Sequence, residues 1–548
     1  VQDGTLDESV LDKSCEEYLN VIFKYEENRD KNAVFQHEKD HETAREIEEE
    51  CIVLLKNEDA LLPLSADKKV AFIGKYAEKP RYQGGGSSHI NSFKTESAMD
   101  AVEFLATVKK ENITFAKGFD DVEDKADEAL AAKAVEAAAN ADVAVVFAGL
   151  PDSFESEGYD RKHLGMPNCQ NALIEAVAEA QPNTIVVLHN GAPVEMPWLG
   201  KVKAVLEAYL GGQAVGGAVV NVLYGNANPS GRLAETFPLR IQDTPCYLNY
   251  GGEHDKSVYS EGVFVGYRYY QTFQKAVCFP FGFGLSYTSF RVDNLELNRS
   301  SLAPGEDLEV SVRVINTGSR AGSEVIQLYV SPPASAIFRP RMELKAFEKV
   351  VLAPGESQTV RLKLRHSDFA FWNTSLRAWH CEAGEYRLLV GTSSADTPLE
   401  AQIAVETNLP EARVPNYTET APCYYAYGSG ALRVSAEAFE AVYGASIPPD
   451  PQGEPAEYDL NATMWDARES LRGKLLAVII KKFGTKTALG GGEFQEANER
   501  IIDASIMDAP LRSYILGGVP IKVPEAIALL LNGKVFQAIR KLLEKDKT

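Results

Sequence analysis

Residues 142–165 read DVAVVFAGLPDSFESEGYDRKHLG. The run Val143–Leu150 is short, continuous and rich in Val, the pattern of a strand buried on both faces of a sheet. It releases a loop that crowds Asp152, Glu155, Glu157 and Asp160 beside Arg161 and Lys162. An open α/β sheet carries its chemistry outside the carboxyl ends of its strands. A loop also suits a catalytic acid, because it can reach over another domain. By composition alone the same residues describe a solvated acidic turn.

Further elements on either side repeat the strand pattern. Lys69–Ile73, Thr184–His189 and Ala204–Ala208 are apolar runs, and Ala126–Ala141, Asn168–Ala180 and Ala214–Leu223 have helical character. Their alternation predicts, over 65–250, an α/β sandwich domain with a mainly parallel sheet and helices on both faces. From residue 290 the period changes to two. Leu308–Ile315, Glu324–Val330 and Thr359–Leu364 alternate apolar with polar between turns such as Asn316-Thr317-Gly318, which predicts an antiparallel β-sandwich over 290–407. Residues 251–289 read as a connecting segment and 408–462, rich in Pro, Tyr and Gly, as a linker. Residues 463–548 form a helical C-terminal region, with helices over 470–483, 493–507, 523–531 and 534–543. At the other end, residues 5–24 have helical spacing with Thr5 or Asp7 to cap them, and 25–64 read as a charged helical linker.

A chain of 548 residues needs three or four domains. Its net charge of −22 argues against nucleic acid and against an anionic membrane surface as partners. The best candidate span, Leu475–Ile480, falls far short of the ~20 apolar residues that cross a bilayer. The seven cysteines are scattered, with no CxxC and no Cys/His cluster, so neither a metal site nor a cofactor is expected. Reduced thiols and the lack of a signal peptide point to the cytoplasm, although the chain opens on Val1 rather than Met.

The block Glu155–Arg161 (ESEGYDR), followed by Leu164-Gly165-Met166-Pro167 and Gln170, resembles the acid/base loop of glycoside hydrolase family 3 in its β-glucosidase branch. Four more blocks resemble that family in the same order: Ile52–Pro63 (IVLLKNEDALLP), Tyr82–His89 (YQGGGSSH), Asn228–Pro238 (NPSGRLAETFP) and Phe279–Tyr287 (FPFGFGLSY). The resemblance runs from about residue 1 to about residue 405. It implies that 1–24 is the end of a (β/α)8 barrel domain, that 65–250 is the α/β sandwich domain with the acid/base loop, and that 290–407 is a fibronectin type III-like domain.

Glycoside cleavage needs two carboxyl groups, one to protonate the leaving oxygen and one to attack or to activate water. The resemblance implies a retaining mechanism with Glu157 as the acid/base, and Glu155 is the alternative two residues earlier. A nearby negative charge, from Glu155 or Asp160, would raise the pKa of such an acid. The family's nucleophile is an aspartate in a Ser-Asp-Trp-like block on a barrel strand. No such block occurs here; Trp465-Asp466, in the helical region, has the order reversed. The expectation is therefore half an active site, inactive alone, with the barrel and its aspartate supplied by a separate chain or a cleaved fragment.

The glycine loop Gly84-Gly85-Gly86-Ser87-Ser88 allows close backbone approach to a ligand. It is neither GxGxxG nor followed by GK[ST], which argues against a nucleotide. The resemblance places it at the rim of the sugar pocket, with Gly86, Ser87 and Ser88 as binding residues and His89 as a further hydrogen-bonding group. Phe154 and Tyr159 flank the acid, and Phe154 is the candidate aromatic platform for a sugar's C–H face; the competing reading is that both pack the loop. Asp160 and Arg161 read as an internal ion pair, His189 as a core histidine, Met196-Pro197-Trp198 as a packed loop and Asn228–Gly231 as a structural turn.

The function implied is a retaining β-glycosidase acting on terminal non-reducing β-D-glucosyl residues of a glucoside or short β-linked oligosaccharide. A β-xyloside or α-L-arabinoside remains an equal alternative, because the groups that distinguish sugars lie mostly on the barrel. A non-catalytic carbohydrate-binding or assembly module is the alternative from another class. Helix pairs with exposed apolar faces often mediate oligomers, which adds a homo-oligomer to the expected partners.

Overall fold

A computed structural model describes the chain except residues 2, 87, 121–123, 251–255, 411, 450–456, 489–494, 517 and 545–548, and describes no side chain at 483–488, 495–499 or 502. Two units separate, Val1–Thr43 and Ala44–Thr548. In the first, helix α1 (Glu8–Asn28) starts where the Asp7 carboxylate accepts from Ser9 N at 2.9 Å. α1 buries none of its residues, so Leu11, Tyr18, Leu19 and Ile22 all stay exposed. Helix α2 (His37–Cys51) leads into the second unit.

There, six strands form one sheet: β1 (Val53–Asn57), β2 (Val70–Ile73), β3 (Ile113–Ala116), β4 (Val143–Gly149), β5 (Thr184–His189) and β6 (Ala204–Glu207). Their order is β1-β6-β5-β4-β2-β3; β1 pairs antiparallel with β6 and every other pair is parallel. Alternate side chains face opposite ways. Ala71, Ile73, Val146 and Val186 meet α4 (Glu128–Ala139) and α5 (Asn168–Ala180). Val70, Phe72, Val145 and Val187 meet α3 (Ala98–Phe104) and α6 (Val215–Leu223). With both faces covered, the strands must be apolar at every position, which is why they read as unbroken runs. Residues 25–64, read as a helical linker, hold α2 but also β1, which closes the sheet's edge.

A short pair, β7 (Phe237–Pro238) with β8 (Val277–Phe279), and helix α7 (Tyr267–Phe273) occupy the connection to the next domain. That domain is a sandwich. One sheet contains β10 (Ser301–Leu302), β12 (Gly322–Ser331), β13 (Glu343–Leu352), β17 (Gly384–Gly391) and β18 (Leu399–Val405). The facing sheet contains β9 (Phe290–Leu297), β11 (Asp307–Asn316) and β14 (Ser357–Arg365), and β15 (Phe371–Asn373) pairs with β16 (Ala378–His380) beside it. Val310, Val312 and Val314 of β11 point inward against Leu328, Leu388 and Val390. Each such burial stabilises by roughly 1.5–3 kcal/mol.

The described residues of 408–462 pack rather than span. Tyr424 stacks on Phe338 at 4.5 Å and on Phe264 at 6.4 Å, and α8 (Ala436–Tyr443) adds Ala438 to that aromatic cluster. The C-terminal helices are α9 (Leu471–Ala488), α10 (Gln495–Met507), α11 (Lys522–Leu531) and α12 (Val535–Leu543), around Met464, Leu511, Ile527 and Leu531. The expected fold class, an α/β sandwich followed by a β-sandwich and a helical region, is the one observed. Among the described residues, no helix is long and apolar enough to cross a membrane.

Candidate active site

From β2 the chain moves outward to β3 and then crosses back past β2 to β4, so the sheet's switch point lies between β2 and β4. Ligands of open α/β sheets bind in the crevice outside such a point. The loops leaving these two strand ends are the glycine loop and the acid loop, and they meet. Gly85 and Ser156 form a parallel bridge, and Glu157 N donates to Gly85 O at 3.3 Å. The contact excludes side chains from the glycines. A Cβ on Gly85 would sit 2.6 Å from Ser156 Oγ; one on Gly86, where φ is +94°, would sit 2.5 Å from Glu157 Cβ and 2.7 Å from its Oε2.

Arg81, Gly84, Gly85, Ser88, Glu155, Ser156, Glu157 and Leu210 line a pocket of about 340 Å³. Buried Arg81 clamps the acid loop. Its Nη1 donates to Glu155 Oε2 at 2.6 Å, its Nη2 to Glu155 O at 2.8 Å and its Nε to Asp152 Oδ1 at 3.2 Å. Gly191 N, just past β5, donates to the same Glu155 Oε2 at 2.8 Å. The Glu155 side chain is thus anchored to the protein by a charge-assisted pair and a backbone donor, which fixes it in place. Glu157, by contrast, is exposed, at the mouth of the pocket.

Two buried groups support these loops. Glu207 ends β6 and accepts from Asn190 Nδ2 and from Tyr209 N, both at 3.0 Å. Burial raises its pKa well above the usual carboxylate range, against the pull of those donors. His189 lies parallel to Phe147, with ring centroids 6.3 Å apart. Burial first, and then Arg81, lower its pKa to about 4, so it is a neutral core imidazole as its sequence position suggested.

Gly86 lies against Glu157 and Ser88 lines the pocket, while Ser87 lies outside the described residues. Phe154 is placed elsewhere. It packs on the sheet's core, meets His163 edge-on at 6.0 Å and, with Tyr159, Lys162 and Arg500, lines a second cavity of about 690 Å³. Asp160 and Arg161 do not pair as expected: Asp160 Oδ1 accepts from Tyr250 OH at 2.7 Å, and Arg161 Nη1 donates to Pro193 O at 2.9 Å. Neighbours in an extended loop point to opposite sides. Trp198 is fully buried, with Nε1 donating to Asn171 Oδ1 at 2.9 Å, and Asn228 Oδ1 accepts from Tyr287 N at 2.8 Å; both are structural. Arg81 was not singled out from the sequence. The only signal for it was the loop's excess of four carboxylates over the two cations Arg161 and Lys162, which a cation from elsewhere can balance. Among the described residues, no cluster of His, Cys, Asp and Glu is placed to hold a metal ion.

Residues 52–267 match the glycosyl hydrolase family 3 C-terminal domain and residues 324–394 the fibronectin type III-like domain. The thermostable β-glucosidase B of Acetivibrio thermocellus is 48% identical over 409 residues, which is 75% of this chain and 54% of the relative. The exo-α-(1→6)-L-arabinopyranosidase of Bifidobacterium breve is 42% identical over 419 residues, 74% of this chain and 54% of the relative. The crystal structure of the GH3 β-glucosidase of Bifidobacterium adolescentis superposes with a TM-score of 0.71 at 40% identity, covering 76% of this chain and 61% of that one. The chain spans about half the length of the curated relatives it matches.

Proposed function

This chain carries the C-terminal domain of glycosyl hydrolase family 3 and the fibronectin type III-like domain that follows it, and from that premise we propose that it supplies the acid/base half of a retaining β-glycosidase. Glu157 is the general acid/base. It protonates the departing glycosidic oxygen, then takes a proton from the water that releases the sugar. The nucleophile is an aspartate of a (β/α)8 barrel domain outside residues 1–548, brought within the ~5–5.5 Å that separates the two carboxyls in retaining enzymes. The observation that carries this reading is the different exposure of two carboxylates two residues apart. Glu155 is locked to Arg81 and Gly191 N, while Glu157 is exposed at the pocket mouth, where Gly86 has no side chain to crowd it. A barrel covering that mouth would desolvate Glu157 and raise its pKa toward the working range of an acid. Ser88 and the backbone of Gly84–Gly86 would border the bound sugar, and the exposed apolar residues of α1 would be covered by the barrel they belong to.

Terminal β-D-glucosides are the first substrate class. An α-L-arabinoside is the second, on the strength of the relative that is named an arabinopyranosidase. The test combines this chain with the barrel domain of the Acetivibrio thermocellus relative and assays aryl β-glucoside and aryl α-L-arabinoside. Turnover is expected only from the combination, lost in Glu157→Gln and restored to Glu157→Ala by azide. Enzyme-like hydrolysis by the chain alone, or unchanged turnover in Glu157→Gln, would refute it and leave the carbohydrate-binding or assembly module as the better reading.

A further inference from the structure

The α/β domain itself ties the acid loop at both ends. Arg81 holds Asp152 and Glu155 before the acid, and Arg161 Nη1 reaches Pro193 O after it. Tyr159 OH donates to Asp152 O and closes the segment between them into one unit. The tip of that unit, Ser156–Gly158, meets the glycine loop on one side, through the Gly85–Ser156 bridge and the contact of Gly86 with Glu157. It also meets a helix from the far end of the chain.

That helix is α10. Gly158, the residue after Glu157, has φ +91°, and a Cβ built on it would sit 3.2 Å from Ile501 Cγ2 and 3.5 Å from its Cγ1. Glycine serves twice here, for the positive φ and for the close approach of a branched side chain to the backbone. One residue earlier, Arg500 Nη1 donates to Ser153 O at the start of the loop. The rest of α10 is anchored in the helical bundle. Ile506 and Met507 pack with Met464 and Leu511, Met507 O accepts from Trp465 N at 2.9 Å, and Asp503 pairs with Lys481 of α9 at 2.9 Å. Helix α10 is thus a strut, seated in the bundle and set against the acid loop.

Such a strut matters because a reacting group must be held to within about 0.5 Å of its productive place. A displacement of about 1 Å costs ~10²-fold in rate. The loop closes on itself, so a shift at Gly158 carries Glu157 with it. On the reading that Glu157 is the acid/base, we propose that Arg500 and Ile501 are positioning residues for it. The helical region 463–548 is then part of the catalytic apparatus and not an appendage.

The test compares substrates by their need for an acid. A phenol leaving group needs protonation, whereas 2,4-dinitrophenolate departs unaided. In the barrel-complemented enzyme, Arg500→Ala with Ile501→Ala is expected to lower kcat/KM for phenyl β-glucoside by ~10²-fold and to leave that for 2,4-dinitrophenyl β-glucoside near wild type. Ser505→Ala, at an exposed position of the same helix, is expected to match wild type on both. An equal change on both substrates in the alanine pair, or none on either, overturns the proposal. Glu157→Gln in the same assay separates that failure from failure of the acid assignment. Loss of the phenyl glucoside alone keeps the assignment; equal loss of both removes it, and the proposal with it. The chain without the barrel gives a second readout, because Glu157 N is held on Gly85 O. Hydrogen exchange over residues 155–159 is expected to quicken about tenfold in the alanine pair while that of β4 stays unchanged. Unchanged exchange over 155–159 overturns the proposal. Should circular dichroism show the bundle unfolded in the pair, Ile501→Val is measured alone; a selective fall on the phenyl glucoside is expected, and an equal fall on both substrates overturns the proposal.

Discussion

A glycine sets where the acid sits. At Gly86, positive φ and 2.5 Å between a built Cβ and Glu157 Cβ mean that even one methyl group displaces the acid loop. Gly86→Ala is expected to cut kcat of the barrel-complemented enzyme by ~10²-fold, the order that a displacement of about 1 Å costs. The melting temperature should barely move, because the loop lies at the surface; steady-state kinetics beside thermal melts check both. Arg81 has the opposite character. Arg81→Met leaves Glu155 largely buried with its cation gone, a change worth about 3–5 kcal/mol. Urea unfolding of the chain should show that loss, and adding Glu155→Gln should recover part of it. The two residues differ in legibility as well. Glu157 sits in a contiguous word of seven residues, so the sequence carries it. Arg81 acts across 74 positions on Glu155, and only the fold brings that pair together.

At the scale of elements, α2 carries a pH dependence. Glu48 is buried against Gly211, its Oε1 without a hydrogen-bond partner, and desolvation pushes its pKa from 4.5 to about 8. The folded state therefore keeps a proton that the unfolded chain releases near pH 4.5. The stability this confers is fully present below that pH and is lost as pH rises through about 8. Glu48→Gln should melt near wild type at acid pH and above it in mildly alkaline buffer, and parallel melts across that range check the crossover. Helix α5 and strand β5 fell where periodicity placed them, because each buries a face set by its own local pattern. β1 did not. Its five residues follow an acidic helix, and a short apolar run cannot be told from a helix end by period. What makes it a strand is the distant backbone of β6. Likewise the Pro, Tyr and Gly of 408–462 signal turns, yet Tyr424 finds its place only through Phe338 and Phe264.

Across the whole molecule, the α/β domain and the β-sandwich are joined through buried polar contacts. Arg232 Nη2 meets Glu324 Oε1 at 2.5 Å, and Gln327 Nε2 donates to Gly282 O at 3.1 Å. The two domains should therefore melt in one calorimetric transition. Glu324→Gln, which strands the largely buried guanidinium of Arg232, is expected to cost about 3 kcal/mol and to split that transition in two. The edge strand β1 joins three parts of this assembly. It pairs with β6, Leu54 O accepts from Leu285 N at 2.8 Å, and Ile52 O accepts from Gly231 N at 3.1 Å. Tension on the residues before Val53 would thus load a row of hydrogen bonds in shear, all at once, and could not peel them one by one. Whatever is tethered ahead of this strand pulls on three parts of the molecule at once, and a protease cutting upstream of it would free the tether without loosening the sheet.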